Sequence, residues 1–150
     1  MYLSGGIRVR TEGRYKQLYN DLKNFVFLDM HEIFFTCAAI GYRSGKRIPL
    51  GKSAEDRFWS DTITPHEFAM FYAMVAELEG MSCQSLMDAK SVIEVVEEYA
   101  NAGMEILLEE LLGEYVIETE SGPVLDKASC DELPKIILAH IYDRSLSETN

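Results

Sequence analysis

The sequence predicts a single, all-α or predominantly α-helical domain of five or six helices, with a basic loop after the second helix. Apolar residues recur at spacings of three and four along most of the chain, and helix-start signals precede several of these runs. The length of 150 residues suits one domain, and the hydrophobic fraction of 47% suits a packed core. We predict one domain over residues 1–150, with flexible ends at 1–10 and 144–150.

The first two helices are predicted in the N-terminal third. After a first helix over about residues 14–24, Asp29 is a candidate N-cap, and Glu32 can complete a capping box three residues later. The second helix is expected to begin after Asp29 and to run to about Gly41. Glycines and a proline between residues 42 and 61 then predict a loop or a short extended segment.

The clearest helix start lies near the middle of the chain. Thr64 is a candidate N-cap, Pro65 suits the first turn and Glu67 can complete a capping box. We predict a third helix from here to about Glu79, ended by Gly80.

The C-terminal half reads as one long helical tract and one short helix. The tract covers about residues 88–112, and Gly103 is expected to bend or divide it. Residues 115–117 have the composition of a strand, although Pro123 leaves little room for one. A last helix is predicted over about residues 134–142.

Charge is divided unequally along the chain. Residues 1–57 contain 10 Lys and Arg against 6 Asp and Glu, whereas residues 58–150 contain 4 against 19. The formal net charge of −11 therefore combines a basic third with a strongly acidic remainder. Such a protein can orient itself between partners of different charge.

The basic loop, residues 43–52, is the first candidate interaction site. Basic side chains around glycines suit contact with phosphates or with an acidic partner, and a plain exposed loop is the alternative. A nucleotide-binding loop is excluded, because three rather than four residues separate Gly41 from Gly45 and no Ser or Thr follows Lys46. The candidate residues are Arg43, Lys46, Arg47 and Lys52.

The second candidate is an acidic helix face, which is interpreted as a docking surface for a basic partner. The alternatives are an ordinary solvated helix face and a mimic of the DNA phosphate array. A di-metal carboxylate site is disfavoured because the Glu-x-x-His pattern is absent. The face is predicted to contain Glu94, Glu97, Glu98, Glu105 and Glu109.

No motif in the sequence indicates catalysis, metal binding or a cofactor, so we expect none of the three. The cysteines are far apart, as is typical of reduced thiols in the cytoplasm, where we expect the protein to act. We also expect no leader peptide and no segment that crosses a membrane. The cysteines are Cys37, Cys83 and Cys130, and the histidines considered for catalysis or metal binding are His31, His66 and His140.

One stretch resembles a known family. The segment from Phe34 to Leu50 reads Phe-Phe-Thr-Cys-Ala-Ala-Ile-Gly-Tyr-Arg-Ser-Gly-Lys-Arg-Ile-Pro-Leu, and it resembles the Dnd-system-associated protein 4 family, small proteins associated with bacterial DNA phosphorothioation. The likeness begins at residues 7–10, includes Tyr15 and extends to the helix at residues 68–80. It covers about half of the chain and includes no catalytic motif.

The resemblance implies a role beside the protein subunits of a DNA modification or restriction complex that defends bacteria against phage. Together with the charge pattern, it leads us to expect a non-catalytic adaptor that docks through the basic loop and the acidic helix face. Two alternatives stay open: a small DNA-binding regulator with a helix-turn-helix in residues 14–41, and a metal-dependent nuclease-like subunit of the same system.

Overall fold

The computed structural model describes residues 6–26, 29–78, 88–128 and 131–149. Over these residues the chain forms five α-helices and two antiparallel sheets of two strands each. The prediction of an all-α domain is therefore wrong, since the fold is a mixed α/β structure in which helices predominate.

The elements follow one another as helices with strands between them. Short 3-10 turns precede the first and third helices and the third strand. In chain order the elements are β1 (Arg8–Glu12), α1 (Lys16–Phe25), α2 (Met30–Arg43), β2 (Ala54–Trp59), α3 (Pro65–Leu78), α4 (Ala89–Glu110), β3 (Val116–Thr119), β4 (Gly122–Leu125) and α5 (Leu133–Thr149).

Both predicted flexible ends overlap with these elements. Residues 8–10 form part of β1, and residues 144–149 belong to α5. Residues 1–5 and the last residue lie outside the described part of the chain, as do Cys83 and Cys130.

The first sheet carries a β-bulge that buries an arginine. β1 runs antiparallel to β2 with Arg8 opposite Trp59, and the pairing then shifts so that Arg57 is the extra residue on β2. The Arg57 side chain is 4% exposed. It donates hydrogen bonds to Oγ1 of Thr11, at 2.7 Å, and to the carbonyl oxygen of Glu12, at 3.1 Å. The bulge therefore ties the two strands together through a buried guanidinium group.

The second sheet is a short hairpin that packs against α1. Gly122 has a φ of 123°, and a Cβ at this position would lie 2.1 Å from the carbonyl oxygen of Arg14. Asp21, which is 2% exposed, accepts a hydrogen bond of 3.0 Å from the backbone nitrogen of Leu125. Pro123, which was expected to crowd a strand here, pairs within the hairpin because it lies in an outer strand that needs no inward donor.

The helix-start signals had mixed outcomes. The capping box of α3 is confirmed: the backbone nitrogen of Thr64 donates to Glu67 Oε1 at 2.9 Å, and the Glu67 nitrogen donates to Thr64 Oγ1 at 3.1 Å. The cap predicted at Asp29 is wrong, since its side chain makes no capping hydrogen bond. The predicted end of α3, at Glu79 and Gly80, lies outside the described residues.

The core forms where α2 crosses α4 and meets the aromatic rings of α3 and β2. The ring of Phe34 lies edge-on to Phe71 and to Phe58, with centroids 5.8 and 5.4 Å apart. Burial of these rings and of the aliphatic side chains around them supplies the main driving force for folding. Large buried side chains of this core include Tyr19, Phe34, Phe71, Ile93, Met104 and Leu107.

The backbones of α2 and α4 touch at two glycines. A Cβ on Gly103 would lie 1.7 Å from the carbonyl oxygen of Cys37, and one on Gly41 would lie 2.0 Å from the carbonyl oxygen of Tyr99. The expectation that Gly103 divides the helical tract is wrong, because α4 is one helix from residue 89 to residue 110. The glycine is required for the close approach of α2.

None of the described helices is long and apolar enough to span a membrane by itself. The segment Gly13–Phe25 and α2 reach that length and hydropathy only when taken together, and the chain bends by 112° between them.

We predict that Gly103→Ala destabilises the protein. The higher helix propensity of alanine alone would raise the free energy of unfolding by about 1 kcal/mol. The close contact should lower it by about 2 kcal/mol or more, because the helices must move apart. Urea unfolding measures the difference. Gly51→Ala is the control, since its added Cβ would meet nothing closer than 3.6 Å. An unchanged or raised stability of Gly103→Ala would show that the helices do not cross here as described.

Candidate interaction surface

The basic loop leaves α2 in a direction fixed by a Schellman motif. Gly45 has a φ of 68° and donates its backbone N–H to the carbonyl oxygen of Tyr42 at 3.0 Å. The backbone nitrogen of Lys46 donates to the carbonyl oxygen of Gly41, also at 3.0 Å. These are the two hydrogen bonds that define the motif, which needs a glycine at the left-handed position.

The middle of the basic loop lies against α4. The guanidinium group of Arg47 donates to Glu98 Oε1 from two nitrogens, at 3.0 and 3.1 Å. The backbone nitrogen of Ile48 donates to the carbonyl oxygen of Glu98, and the Asn101 amide donates to the carbonyl oxygen of Ile48. Arg47 and Glu98, which the sequence assigned to two different partners, are therefore paired with each other.

The end of the basic loop is held by β1. The Glu12 carboxylate accepts hydrogen bonds from the backbone nitrogen of Gly51, at 2.6 Å, and from Oγ of Ser53, at 2.9 Å. Lys46 and Lys52 are exposed, and neither forms an ion pair within the described residues. The loop thus presents these two lysines from an ordered backbone, while Arg43 is exposed at the end of α2.

Glu97 does not lie on the exposed acidic face. It is 6% exposed, and its Oε2 accepts a hydrogen bond of 2.7 Å from the backbone nitrogen of Arg10 in β1. Burial raises the pKa of Glu97 to about 7, although the hydrogen bond and charge of Arg10 oppose this shift. The side chain joins α4 to the first sheet, so we assign it no contact with a partner.

This burial predicts that stability depends on pH through Glu97. The folded pKa of about 7 lies above the ordinary value of 4.5, so the folded state binds the proton more tightly and loses stability as the pH rises between these values. The free energy of unfolding should fall by about 2 kcal/mol from pH 5 to pH 8 through this group.

Glu97→Gln should remove this part of the pH dependence, because the amide oxygen can still accept from Arg10. Urea unfolding at pH 5 and pH 8 measures it. The exposed neighbour Glu94→Gln serves as the control. Identical pH profiles for Glu97→Gln and the unsubstituted protein would contradict the burial of an ionisable carboxyl.

The remaining glutamates of the predicted face lie along one stripe of α4. Glu94, Glu98, Glu105 and Glu109 are separated by four, seven and four residues, which places them on one side of the helix. The basic loop covers this stripe at Glu98. Glu94, Glu105 and Glu109 are exposed.

The C-terminal end of this stripe borders a surface pocket of about 290 Å³, called here the acidic pocket. Residues of α4, of β3 and of the turn before α1 line it. The sequence did not indicate this pocket, because it joins residues from three separate parts of the chain. Its lining includes Tyr15, Glu105, Leu108, Glu109, Val116 and Glu118.

A second depression, of about 480 Å³, lies between α2 and α3. The Tyr42 hydroxyl donates to the Glu77 carboxylate at its edge, and this hydrogen bond raises the pKa of Tyr42 to about 12. Phe35 and Met70 contribute apolar lining. The depression was also not predicted, because the sequence does not show which sides of α2 and α3 face each other.

In the part of the chain that the structure describes, one group of side chains could hold a metal ion. Asp29, His31 and Glu32 each place a ligand atom within 4.8 Å of the others. His31 Nδ1 also lies 2.8 Å from Oε1 of Glu67. The group sits at the N-terminus of α2, where the helix dipole disfavours a cation, so we assign no metal to it.

Cys37 offers no nucleophile. It is fully buried, and burial raises the pKa of its thiol to about 12. His66 is exposed in the first turn of α3, and His140 Nε2 lies 3.1 Å from Glu110 Oε2. The described residues therefore do not bring Cys37 together with any histidine as a hydrogen-bonded pair.

These features define a small, mostly helical protein with adjoining surfaces of opposite charge. The chain matches the sequence model of the family described as DNA sulphur modification system-associated protein 4 over residues 8–128. It belongs to this family, and the match includes α4 and the second hairpin, well beyond the half of the chain that carried the resemblance. No curated protein sequence and no solved structure matches the chain.

Proposed function

We propose that this protein is a non-catalytic accessory protein of a DNA sulphur modification system, and that it docks to other subunits through the basic loop and the acidic end of α4. We place it in the cytoplasm, in a system that restricts phage DNA. Family membership supports the association with the system. The docking role rests on one structural observation, which is the ordered basic loop lying across the same helix that ends in the acidic pocket.

Order in the basic loop favours docking because an ordered loop loses little entropy on binding. The Schellman motif holds the backbone at Lys46, and the contacts with Glu98 and Glu12 hold the part of the loop that follows it. Lys46 and Lys52 then supply positive charge toward an acidic partner or nucleic acid, whereas Arg47 is already engaged with Glu98. The basic contact is therefore assigned to Lys46 and Lys52, while Arg43 stays a candidate because of its exposed position at the end of α2.

The two surfaces have opposite signs and lie along one helix. Oppositely charged patches set the orientation and the rate of association more than the final affinity. Contacts made by exposed charges weaken as salt screens them. An adaptor of this kind should therefore associate with its partners in a salt-dependent manner.

The two alternatives have less support. A helix-turn-helix regulator would need α2 as an exposed recognition helix, but Ile33, Phe34 and Cys37 of α2 are buried in the core. A metal-dependent nuclease would need carboxylates that converge on a cation. Within the described residues, such a group occurs at the N-terminus of α2, in an unfavourable electrostatic position.

We expect Lys46→Glu with Lys52→Glu to reduce capture of modification-system subunits by the tagged full chain from its native host. Capture is performed with and without nuclease and at two salt concentrations, and proteins are identified by mass spectrometry. Two charge reversals on this surface should lower recovery by about tenfold at low salt.

The matched control is Lys90→Glu with Lys135→Glu, which reverses the same charge at exposed lysines on α4 and α5. Equal recovery with both double variants would contradict docking through the basic loop. Recovery that disappears with nuclease would instead assign the loop to nucleic acid.

A further inference from the structure

We propose that the outer face of the first sheet binds single-stranded nucleic acid, with an unpaired base stacked on Trp59 and phosphates held by the arginines beside it. This inference goes beyond the proposed docking function, because it uses side chains other than the lysines assigned to that function. Three observations carry it: a large aromatic ring left in solvent, a bulge that places this ring beside two arginines, and positive charge around the face.

The exposed ring belongs to Trp59, the only tryptophan of the chain. It is 43% exposed at the end of β2, although tryptophan offers a large apolar area for burial. The preceding residue, Phe58, packs against Phe34 of the core. The strand therefore buries one aromatic ring and leaves the next one available for contact with a ligand.

The β-bulge determines that this ring shares a face with charged residues. Asp56 and Trp59 are three residues apart, so a regular strand would place them on opposite faces. Arg57 is the extra residue, and its insertion leaves both of them exposed on the outer face. Trp59 then lies opposite Arg8, and Asp56 lies opposite Arg10. Bulges often re-aim a side chain at a functional site, which is the effect that this bulge has on Trp59.

The ring of Trp59 already contacts one planar group. The guanidinium carbon of Arg8 lies 4.0 Å from the centroid of the ring, which is a cation-π contact. An unpaired base is also planar, and bases stack on aromatic side chains whatever their sequence. Because each base is joined to a phosphate, Arg8 and Arg10 lie on the face where that phosphate would need a cation.

The surroundings of the face attract a polyanion. The sheet belongs to the basic third of the chain, and Glu12 joins its end to the basic loop, which contains no carboxylate of its own. The carboxylates on the outer face are already engaged. Asp56 pairs with Arg8 at 3.5 Å, and Glu12 accepts hydrogen bonds from the end of the loop. Phosphates therefore meet a surface with a surplus of positive charge.

A single strand uses this face more fully than a duplex or an acidic protein surface does. In a duplex the faces of the bases are stacked on one another and do not reach a side chain on a sheet. Carboxylates of an acidic protein would contact the arginines and leave the indole ring without a stacking partner. The combination of ring and arginines therefore favours unpaired nucleotides.

Trp59 itself reports binding, since no other tryptophan contributes to the fluorescence. The purified full chain is titrated at low salt with oligothymidylate, with oligouridylate and with a DNA duplex of equal length. We expect saturable quenching by the single strands and binding of the duplex that is weaker by about tenfold. The tighter of the two single strands identifies DNA or RNA as the ligand. No saturable quenching by either strand, or equal binding of strand and duplex, would overturn the proposal.

Substitutions at Trp59 separate stacking from charge. Trp59→Phe should weaken binding by about threefold and Trp59→Leu by about tenfold, because phenylalanine keeps a smaller ring and leucine keeps none. Fluorescence anisotropy of a labelled oligothymidylate measures this series. An affinity of Trp59→Leu equal to that of the unsubstituted chain would refute stacking.

Charge variants on the same face test the phosphate contacts. Arg10→Gln should weaken binding by about threefold and reduce the slope of log affinity against log salt by about 0.7, the value for one phosphate contact. Asp56→Asn should strengthen binding by about threefold, because it removes a negative charge and releases Arg8. Lys90→Gln, at an exposed lysine of α4, is the matched control and should leave binding unchanged. Equal weakening by Arg10→Gln and Lys90→Gln would reduce the effect to net charge and refute a site on the sheet.

This inference and the docking function can fail separately. The titration contains no other subunit, so its failure would refute the nucleic-acid site and leave docking as proposed. In the capture experiment, a loss of nuclease-resistant recovery with Trp59→Leu, together with no quenching by oligonucleotides, would assign the ring to a protein partner and overturn the inference.

Discussion

The fold depends on the contact between the backbones of α2 and α4. Gly41 and Gly103 lack the Cβ atoms that would hold these helices apart, so each glycine lies against a carbonyl oxygen of the other helix. The close crossing aligns the side chains that follow it on each helix and encloses the aromatic cluster around Phe34. It also fixes where α2 ends relative to α4. The Schellman motif after α2 can therefore deliver the basic loop directly onto Glu98.

From this crossing, α4 connects the remaining parts of the molecule. Its inner face supplies core residues, and Glu97 reaches the first sheet by accepting a hydrogen bond from Arg10. Its outer stripe passes under the basic loop at Glu98 and continues to Glu105 and Glu109 at the acidic pocket. The pairing of Arg47 with Glu98 removes one charge from each predicted surface, so the surfaces available to partners are smaller than the sequence suggests and lie closer together.

Local signals in the sequence predicted the helices well, and long-range contacts explain what was missed. The capping box at Thr64 and Glu67 depends on residues three apart, and it was predicted correctly. The two sheets were not predicted, although residues 115–117 were noted as a possible strand, because the strands are short and β1 pairs with β2 more than forty residues further along the chain. β1 nevertheless shows the alternation that is typical of a strand, with Val9 and Thr11 buried and Arg8 and Arg10 exposed. The sequence identified the charged residues that are candidates for partner contact. It could not show which glutamate is buried, paired or exposed, because this depends on where α4 meets β1, the basic loop and β3, and no local pattern specifies those contacts.

The proposed docking function requires that the basic loop and the acidic end of α4 both contact subunits of a DNA sulphur modification system. Zero-length carbodiimide cross-linking in the native host is a direct test, because the reagent joins a carboxylate to a lysine only where the two groups are in contact. We expect cross-links from Lys46 or Lys52 to carboxylates of a system subunit, and from Glu105, Glu109 or Glu118 to lysines of a system subunit. Cross-links to such subunits that arise only from other surfaces, with none from these five residues, would refute docking through the basic loop and the acidic end of α4.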